Sequence, residues 1–148
     1  MHHLAQLNTA RLRAPLDDPR TEGFTSQIAA VNALAEAAPG FVWRLNDDPQ
    51  DEPSSPGYDA LVIATLSLWE SLDALRAFVY QGDHGGALRR RAEWFEPRPG
   101  QPNLVLWWVK AGEHPTMFQA MTRLKHLELH GPTAEAFTFS KPFPPPGV

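Results

Sequence analysis

The stretch Leu104–Gly112, LVLWWVKAG, is the feature that most constrains the fold. Its residues alternate as a strand does, with Leu104, Leu106 and Trp108 on one face and valines flanking Trp107 on the other. Because both faces are apolar, this strand must lie in a sheet that is covered on both sides. One layer of helices covers one face only, so we expect a homodimer that packs sheet on sheet to cover the second.

The order of the remaining elements indicates an α+β fold. The alternation and helical spacing of apolar residues predict a strand at Leu4–Arg11, a helix at Pro19–Ala38, strands at Phe41–Asp47 and Asp59–Trp69, a helix after Ser71, a helix at Thr116–His130 and a short strand at Ala136–Phe143. With the Leu104 strand included, this order predicts a ferredoxin-like βαββαβ sandwich with a C-terminal helix and short strand. Residues 1–143 are predicted to form one domain, and 144–148 a proline-rich tail.

The helix after Ser71 is interrupted in sequence. Three glycines surround His84 in the run Gly82–Gly86, and each glycine costs a helix roughly 1 kcal/mol relative to alanine. We therefore expect this helix to be broken or kinked at His84.

Composition excludes several classes of function. The net charge of −4 gives no electrostatic basis for binding nucleic acid phosphates, and the absence of cysteine excludes disulfides and thiolate chemistry. No run approaches the ~20 apolar residues that span a bilayer, and the N-terminus lacks the apolar core of a signal peptide. A cytoplasmic location and no membrane partner are expected.

The residues themselves leave their roles open. His84 could transfer protons or ligate iron, or simply bond backbone carbonyls at the helix break. Tyr80 and Arg44 could supply a donor and an anion partner, or lie on the surface. Each of the five tryptophans could stack on a flat ligand or fill the core. They are Trp43, Trp69, Trp94, Trp107 and Trp108.

The polar residues of the first strand and a histidine pair near the C-terminus also have open roles. Asn8, Gln6 and Thr9 are short polar side chains on the first strand, where they could face a ligand or the solvent. His126 and His130 have the i, i+4 spacing of paired metal ligands, but no third ligand is evident, and an exposed helix surface is the expected reading. No metal site is predicted.

Segments along nearly the whole chain resemble the DUF3291 family, within the dimeric α/β barrel superfamily. They are LAQLNTARL, NALAE, PGFVWRL, LSLWESLDALRAFVY, RRRAEWFEP, LVLWWV and HGPTAEAFTF. The superfamily includes antibiotic-biosynthesis monooxygenases, which oxidise aromatic polyketides without metal or flavin, and haem-binding relatives. Both hold their ligand between the sheet and the helices.

The resemblance implies a homodimer with one hydrophobic pocket in each protomer. Asn8, Trp69 and His84 match the pocket positions of the superfamily and are the predicted catalytic residues, while Trp43, Tyr80, Trp94, Trp108 and Arg44 are the predicted substrate-binding residues. The leading hypothesis is a cofactor-independent monooxygenase acting on a small aromatic or polyketide-like molecule. The alternatives are a haem-binding protein with His84 as axial ligand, and a non-catalytic homodimeric binding module.

Overall fold

A computed structural model describes residues 1–11, 13–14, 18–19, 22, 32–45, 62–81 and 102–147. Its elements are β1 (His2–Arg11), β2 (Phe41–Arg44), β3 (Val62–Trp69), α1 (Leu72–Gln81), β4 (Leu104–Lys110) and α2 (Met117–His130), and residues 32–37 are also helical. The four strands form one antiparallel sheet in the order β2-β3-β1-β4. This strand order is that of the predicted ferredoxin-like sandwich. No helix among the described residues is long and apolar enough to cross a membrane.

The sheet has two apolar faces, and different helices cover them. On the first, which we call the α1 face, the buried core comprises Leu4, Trp69, Leu75, Leu106 and Phe137. On the second, the α2 face, the buried core comprises Ala5, Leu7, Leu66, Leu68, Val105, Trp107, Ala120, Leu124, Leu127 and Ala136. The prediction that β4 is apolar on both faces is therefore confirmed.

Helix α2 covers the second face from within the same chain. It packs on β1 and β4, and its buried side chains Ala120, Leu124 and Leu127 lie against the sheet. A second subunit was expected to provide this cover. The expectation that a second subunit covers this face is wrong, because α2, in the C-terminal extension, folds back onto the sheet.

Local sequence signals define the ends of α2. The Thr116 hydroxyl accepts a hydrogen bond from the Gln119 backbone N–H at 3.1 Å, and the Gln119 side chain accepts one from the Thr116 N–H at 2.9 Å. This reciprocal capping box satisfies two backbone donors that the helix itself cannot. Gly131 ends the helix with a φ of 74° and donates its N–H to the Leu127 carbonyl.

Helix α1 begins where the sequence predicts. The Ser71 hydroxyl accepts a hydrogen bond from the Ala74 N–H at 3.0 Å, so Ser71 is the N-cap. Helical structure is described as far as Gln81. The predicted break around His84 lies outside the described residues.

Strand β2 departs from the simple alternation of its sequence. Alternation places Phe41, Trp43 and Leu45 on one face, but a bulge between Phe41 and Trp43 shifts the register. Phe41 packs on the α1 face, whereas Val42, Trp43 and Leu45 pack on the α2 face. The alternation in the sequence therefore does not give the faces of this strand.

The C-terminal segment is less regular than a strand. Phe137 exchanges both backbone hydrogen bonds with Leu106 of β4, at 2.8 and 2.9 Å. Isolated bridges between Thr133 and Ala136, and between Thr138 and Lys141, lie on either side of it. The strand predicted at Ala136–Phe143 is thus reduced to a single bridge on the outer edge of β4.

A close approach of the backbone joins β2 to α1. Gly40 has a φ of 83° and accepts a hydrogen bond from the Glu70 N–H at 2.7 Å. A Cβ atom at this position would overlap the Cβ of Ala74 in α1. The position therefore requires glycine both for its backbone conformation and for its lack of a side chain.

Candidate ligand-binding site

Four short polar side chains lie together on the α1 face of the two central strands. Gln6 pairs with Ser67, and Asn8 pairs with Thr65 in the β1–β3 register. Side chains two residues apart on a strand share a face, so these four share the face of Leu4 and Trp69. We call Gln6, Asn8, Thr65 and Ser67 the polar strip.

Hydrogen bonds fix the inner half of the polar strip. The Ser67 hydroxyl oxygen accepts from the Gln6 side-chain N–H at 2.8 Å and from the Trp69 indole N–H at 2.9 Å. The Gln6 amide nitrogen also lies 3.3 Å from the Thr65 carbonyl oxygen. Gln6 and Ser67 are 8% and 9% exposed, so this network is nearly closed to solvent. It leaves the Gln6 amide oxygen without a bonding partner in the described part of the chain.

The outer half of the polar strip is open. Asn8 is half-buried and Thr65 is exposed, although both lie in central strands on the face that α1 covers. A central strand is normally buried on such a face, and Leu66 and Leu68 on the reverse face are buried. Among the described residues, nothing covers the sheet at Thr65.

An open surface groove of about 510 Å³, which we call the cavity, lies beside this open end. It is lined by Arg76, Pro102, Asn103, Leu104, Thr138, Phe139 and Ser140. Leu104 pairs directly with Asn8, so the cavity begins one strand away from the polar strip. Its volume is within the range of small-molecule sites, roughly 300–1,000 Å³.

Trp69 closes the inner end of the site. It is 1% exposed, stacks on Phe78 with ring centroids 5.1 Å apart, and meets Phe41 edge to face at 5.5 Å. Since its indole N–H is donated to Ser67, Trp69 has no free polar group. It shares a face with Asn8, at about 13 Å along the strand for a separation of four residues.

Trp108 and Arg44 also lie on the α1 face, but both already have partners. The Trp108 indole donates to the Phe143 carbonyl at 2.9 Å. The Arg44 Nε lies 2.7 Å from a carboxylate oxygen of Glu36. Arg44 therefore already has a neutralising carboxylate, and its predicted role as an anion partner has no support from this geometry.

Trp43, a predicted substrate-binding residue, is not brought together with Asn8. Trp43 lies on the α2 face, stacked on His114 with centroids 4.4 Å apart. His84 and Trp94 are outside the described residues, as is the side chain of Tyr80. The roles predicted for these three residues stay predictions.

The histidine pair on α2 forms a separate cluster. The rings of His126 and His130 are 4.6 Å apart, and the His126 Nε2 lies 3.2 Å from the Thr133 hydroxyl and 3.5 Å from Glu135. In the described ranges, no three histidine or acidic side chains form a set that could hold a metal ion.

The polar strip was only partly evident in the sequence. Gln6 and Asn8 were candidates, but Thr9 lies on the α2 face, where its backbone N–H bonds the Asn103 carbonyl at 2.8 Å. Thr65 and Ser67 were not identified, although hydroxyls alternating with Leu66 and Leu68 in a central strand are such a signal. Arg76 was also missed, and it is the one cation in the helical sequence LDALRAFVYQ.

The fold and this site define an antiparallel α+β sandwich with a polar opening between its sheet and its helices. The model of the family described as domain of unknown function DUF3291 matches residues 3–148. The chain therefore belongs to the DUF3291 family, and the resemblance seen in its sequence is confirmed.

Solved structures are similar in fold. A protein of unknown function from Nitrosomonas europaea matches with a TM-score of 0.51 and 15% identity, over 78% of this chain and 97% of that one. SnoaB, a cofactor-independent oxygenase from Streptomyces nogalater, matches with a TM-score of 0.49 and 15% identity, over 79% and 98% of the two chains. No curated protein matches the sequence. The Nitrosomonas protein supports the predicted ferredoxin-like fold and carries no information on activity.

Proposed function

We propose that the protein binds a small aromatic molecule on the α1 face of its sheet. The observation that carries this proposal is the opening at two central-strand residues, the half-buried Asn8 and the exposed Thr65, one strand away from a cavity of about 510 Å³. A stable fold normally closes such a gap with its own side chains, so an open one on a covered face is the expected place for a ligand.

The lining of the site suits a flat molecule with oxygen substituents. Leu104 and Phe139 supply apolar surface. The Asn8 amide can donate to or accept from an oxygen substituent, and the Gln6 amide oxygen can accept from a hydroxyl. Such a site holds a ring by contact area and orients it by a few hydrogen bonds.

We further propose that the bound molecule is oxidised by O₂ without a bound cofactor. For an anthrone-type substrate the balance is complete: the ring CH₂ becomes a carbonyl with one oxygen atom, and the other oxygen leaves as water. The substrate itself supplies the electrons. Asn8 would hold the substrate oxygen in place during the reaction, an orienting role that suits its position. The resemblance of the sequence to a superfamily that includes antibiotic-biosynthesis monooxygenases supports this reaction class. The predicted proton acceptor is His84.

Binding is tested first, without oxygen. Quenching of tryptophan fluorescence by anthrone under argon should saturate, and Asn8→Ala should weaken the affinity about fivefold, as expected for the loss of one hydrogen bond. Thr122→Ala is the control, because Thr122 is exposed on α2 behind the opposite face. Unsaturable quenching, or equal loss in both variants, would contradict the proposed site.

Turnover is tested in a separate experiment under oxygen. An oxygen electrode and chromatography should show one O₂ consumed for each anthraquinone formed, at a rate that Asn8→Ala and His84→Ala lower and Thr122→Ala does not. Saturable binding with no oxygen uptake above the protein-free rate would reject the oxygenase proposal and retain the binding proposal.

A further inference from the structure

Arg76 is the charged group of the cavity. It lies one turn after the start of α1, and its side chain crosses toward the C-terminal segment. One of its Nη atoms donates to the Phe139 carbonyl at 3.2 Å, and the guanidinium carbon lies 5.7 Å from the centre of the Phe139 ring. Contact with both the ring and the carbonyl of one residue holds the guanidinium in a defined orientation.

The described residues give this guanidinium no carboxylate. Two ion pairs among them join Arg44 to Glu36 and His126 to Glu135, and neither pair includes Arg76. A guanidinium has five N–H donors, and the bond to Phe139 uses one of them. Arg76 is half-buried, so its remaining donors lose part of their hydration and gain from an anionic partner.

Two hydroxyl groups line the same cavity. The Thr138 and Ser140 hydroxyl oxygens are 3.0 Å apart, and either can donate to the other. Whichever group accepts keeps its own hydrogen, which is then available to an acceptor in the cavity. The cavity thus offers a charged planar donor and at least one neutral donor.

We propose that the ligand carries a carboxylate, which Arg76 binds together with the Thr138–Ser140 hydroxyl pair. This inference rests on the proposed binding of an aromatic molecule and specifies its class: an aromatic carboxylic acid, with the ring toward Asn8 and Leu104. A carboxylate matches one guanidinium in shape and charge, because its two coplanar oxygens fit two parallel N–H groups. The assignment moves the anion-binding role from Arg44, which Glu36 neutralises, to Arg76.

The test compares a matched pair of probes, 2-naphthoate and 2-naphthamide, by isothermal titration calorimetry. They share a ring system and differ in charge. The full-length protein should bind 2-naphthoate at least tenfold more tightly. Arg76→Met should remove this preference while leaving the affinity for 2-naphthamide within twofold, since methionine retains an apolar side chain beside Phe139. Ser140→Ala should reduce the affinity for 2-naphthoate alone, by about threefold.

Arg123→Met is the matched control, because Arg123 also donates to a backbone carbonyl, that of Glu135, but from α2. It should leave the preference unchanged. A preference that survives Arg76→Met, or that Arg123→Met removes equally, would overturn the assignment. If Arg76→Met fails to fold, unchanged binding of both probes by Ser140→Ala would overturn the role of the hydroxyl pair.

The two proposals fail in different ways. Equal binding of the two probes by the wild-type protein rejects the carboxylate inference and retains the aromatic site. No binding of either probe, together with anthrone quenching that does not saturate, rejects both. Tighter binding of 2-naphthoate that Arg76→Met abolishes supports both.

Discussion

At the scale of single residues, the structure separates supporting groups from groups that can meet a ligand. Ser67 accepts hydrogen bonds from Gln6 and Trp69 and so holds the inner end of the site, whereas Asn8 is half-buried and Thr65 is exposed. The sequence could not make this distinction. Both faces of β1 mix polar and apolar residues, so only the register with β3 shows that Asn8, and not Thr9, faces α1.

Ser67→Ala is predicted to destabilise the fold by about 2 kcal/mol or more. The substitution leaves the Trp69 indole N–H and one of the two Gln6 amide N–H groups without an acceptor in a nearly dry network, and an unsatisfied buried donor costs about 1–3 kcal/mol. Urea denaturation followed by tryptophan fluorescence measures the change. Thr65→Val, at an exposed position on the same strand, should change stability by about 0.5 kcal/mol at most. Equal effects of the two substitutions would show that the network does not stabilise the fold.

At the scale of elements, the sequence predicted the strands β1 to β4 and the helices α1 and α2 that the structure describes. The N-cap Ser71, the end of β3 at Trp69 and the end of α2 at His130 agree with the structure. The two errors, in β2 and in the C-terminal segment, concern backbone geometry that no residue type signals. The bulge in β2 and the single bridge at Phe137 depend on which strand lies alongside, and a single sequence does not specify that neighbour.

Gly40→Ala is predicted to destabilise the fold by about 3 kcal/mol or more. Part of the cost, about 1–2 kcal/mol, comes from a positive φ in a residue with a side chain, and the rest from overlap with Ala74 across the β2–α1 contact. Thermal and urea denaturation measure the change. Gly131→Ala provides the comparison, since its φ is 74° and a new Cβ would have no atom within 4 Å. A Gly40→Ala effect no larger than that of Gly131→Ala would rule out the close approach as a constraint.

At the scale of the whole molecule, the two covers of the sheet come from one chain. Helix α2 occupies the α2 face, so a dimer that packs sheet on sheet would require α2 to move away from Trp107 and Val105. The strand order was predictable because each connection in the sequence has a length and pattern typical of this fold. The covering of the second face by α2 was not predictable. An apolar strand face shows that something must pack on it, but it does not show whether that element is in the same chain.

The homodimer expected from the sequence stays a prediction, now restricted to surfaces other than the α2 face. Helix α2 leaves Phe118, Met121 and Leu129 exposed, and exposed apolar side chains favour association. Light scattering coupled to size exclusion should give a mass twice the 16.5 kDa of one chain. A mass of 16.5 kDa at every concentration from about 1 to 100 µM would refute the prediction.

The bridge between Phe137 and Leu106 affects how the lining of the cavity could change during evolution. The two backbone hydrogen bonds of this bridge and the burial of the Phe137 side chain attach the C-terminal segment to the sheet next to Thr138, Phe139 and Ser140. Substitutions in this segment can therefore alter one wall of the cavity without disturbing the pairing of the four strands. Relatives that share the sandwich can therefore differ in the lining of this cavity through a few substitutions in this segment.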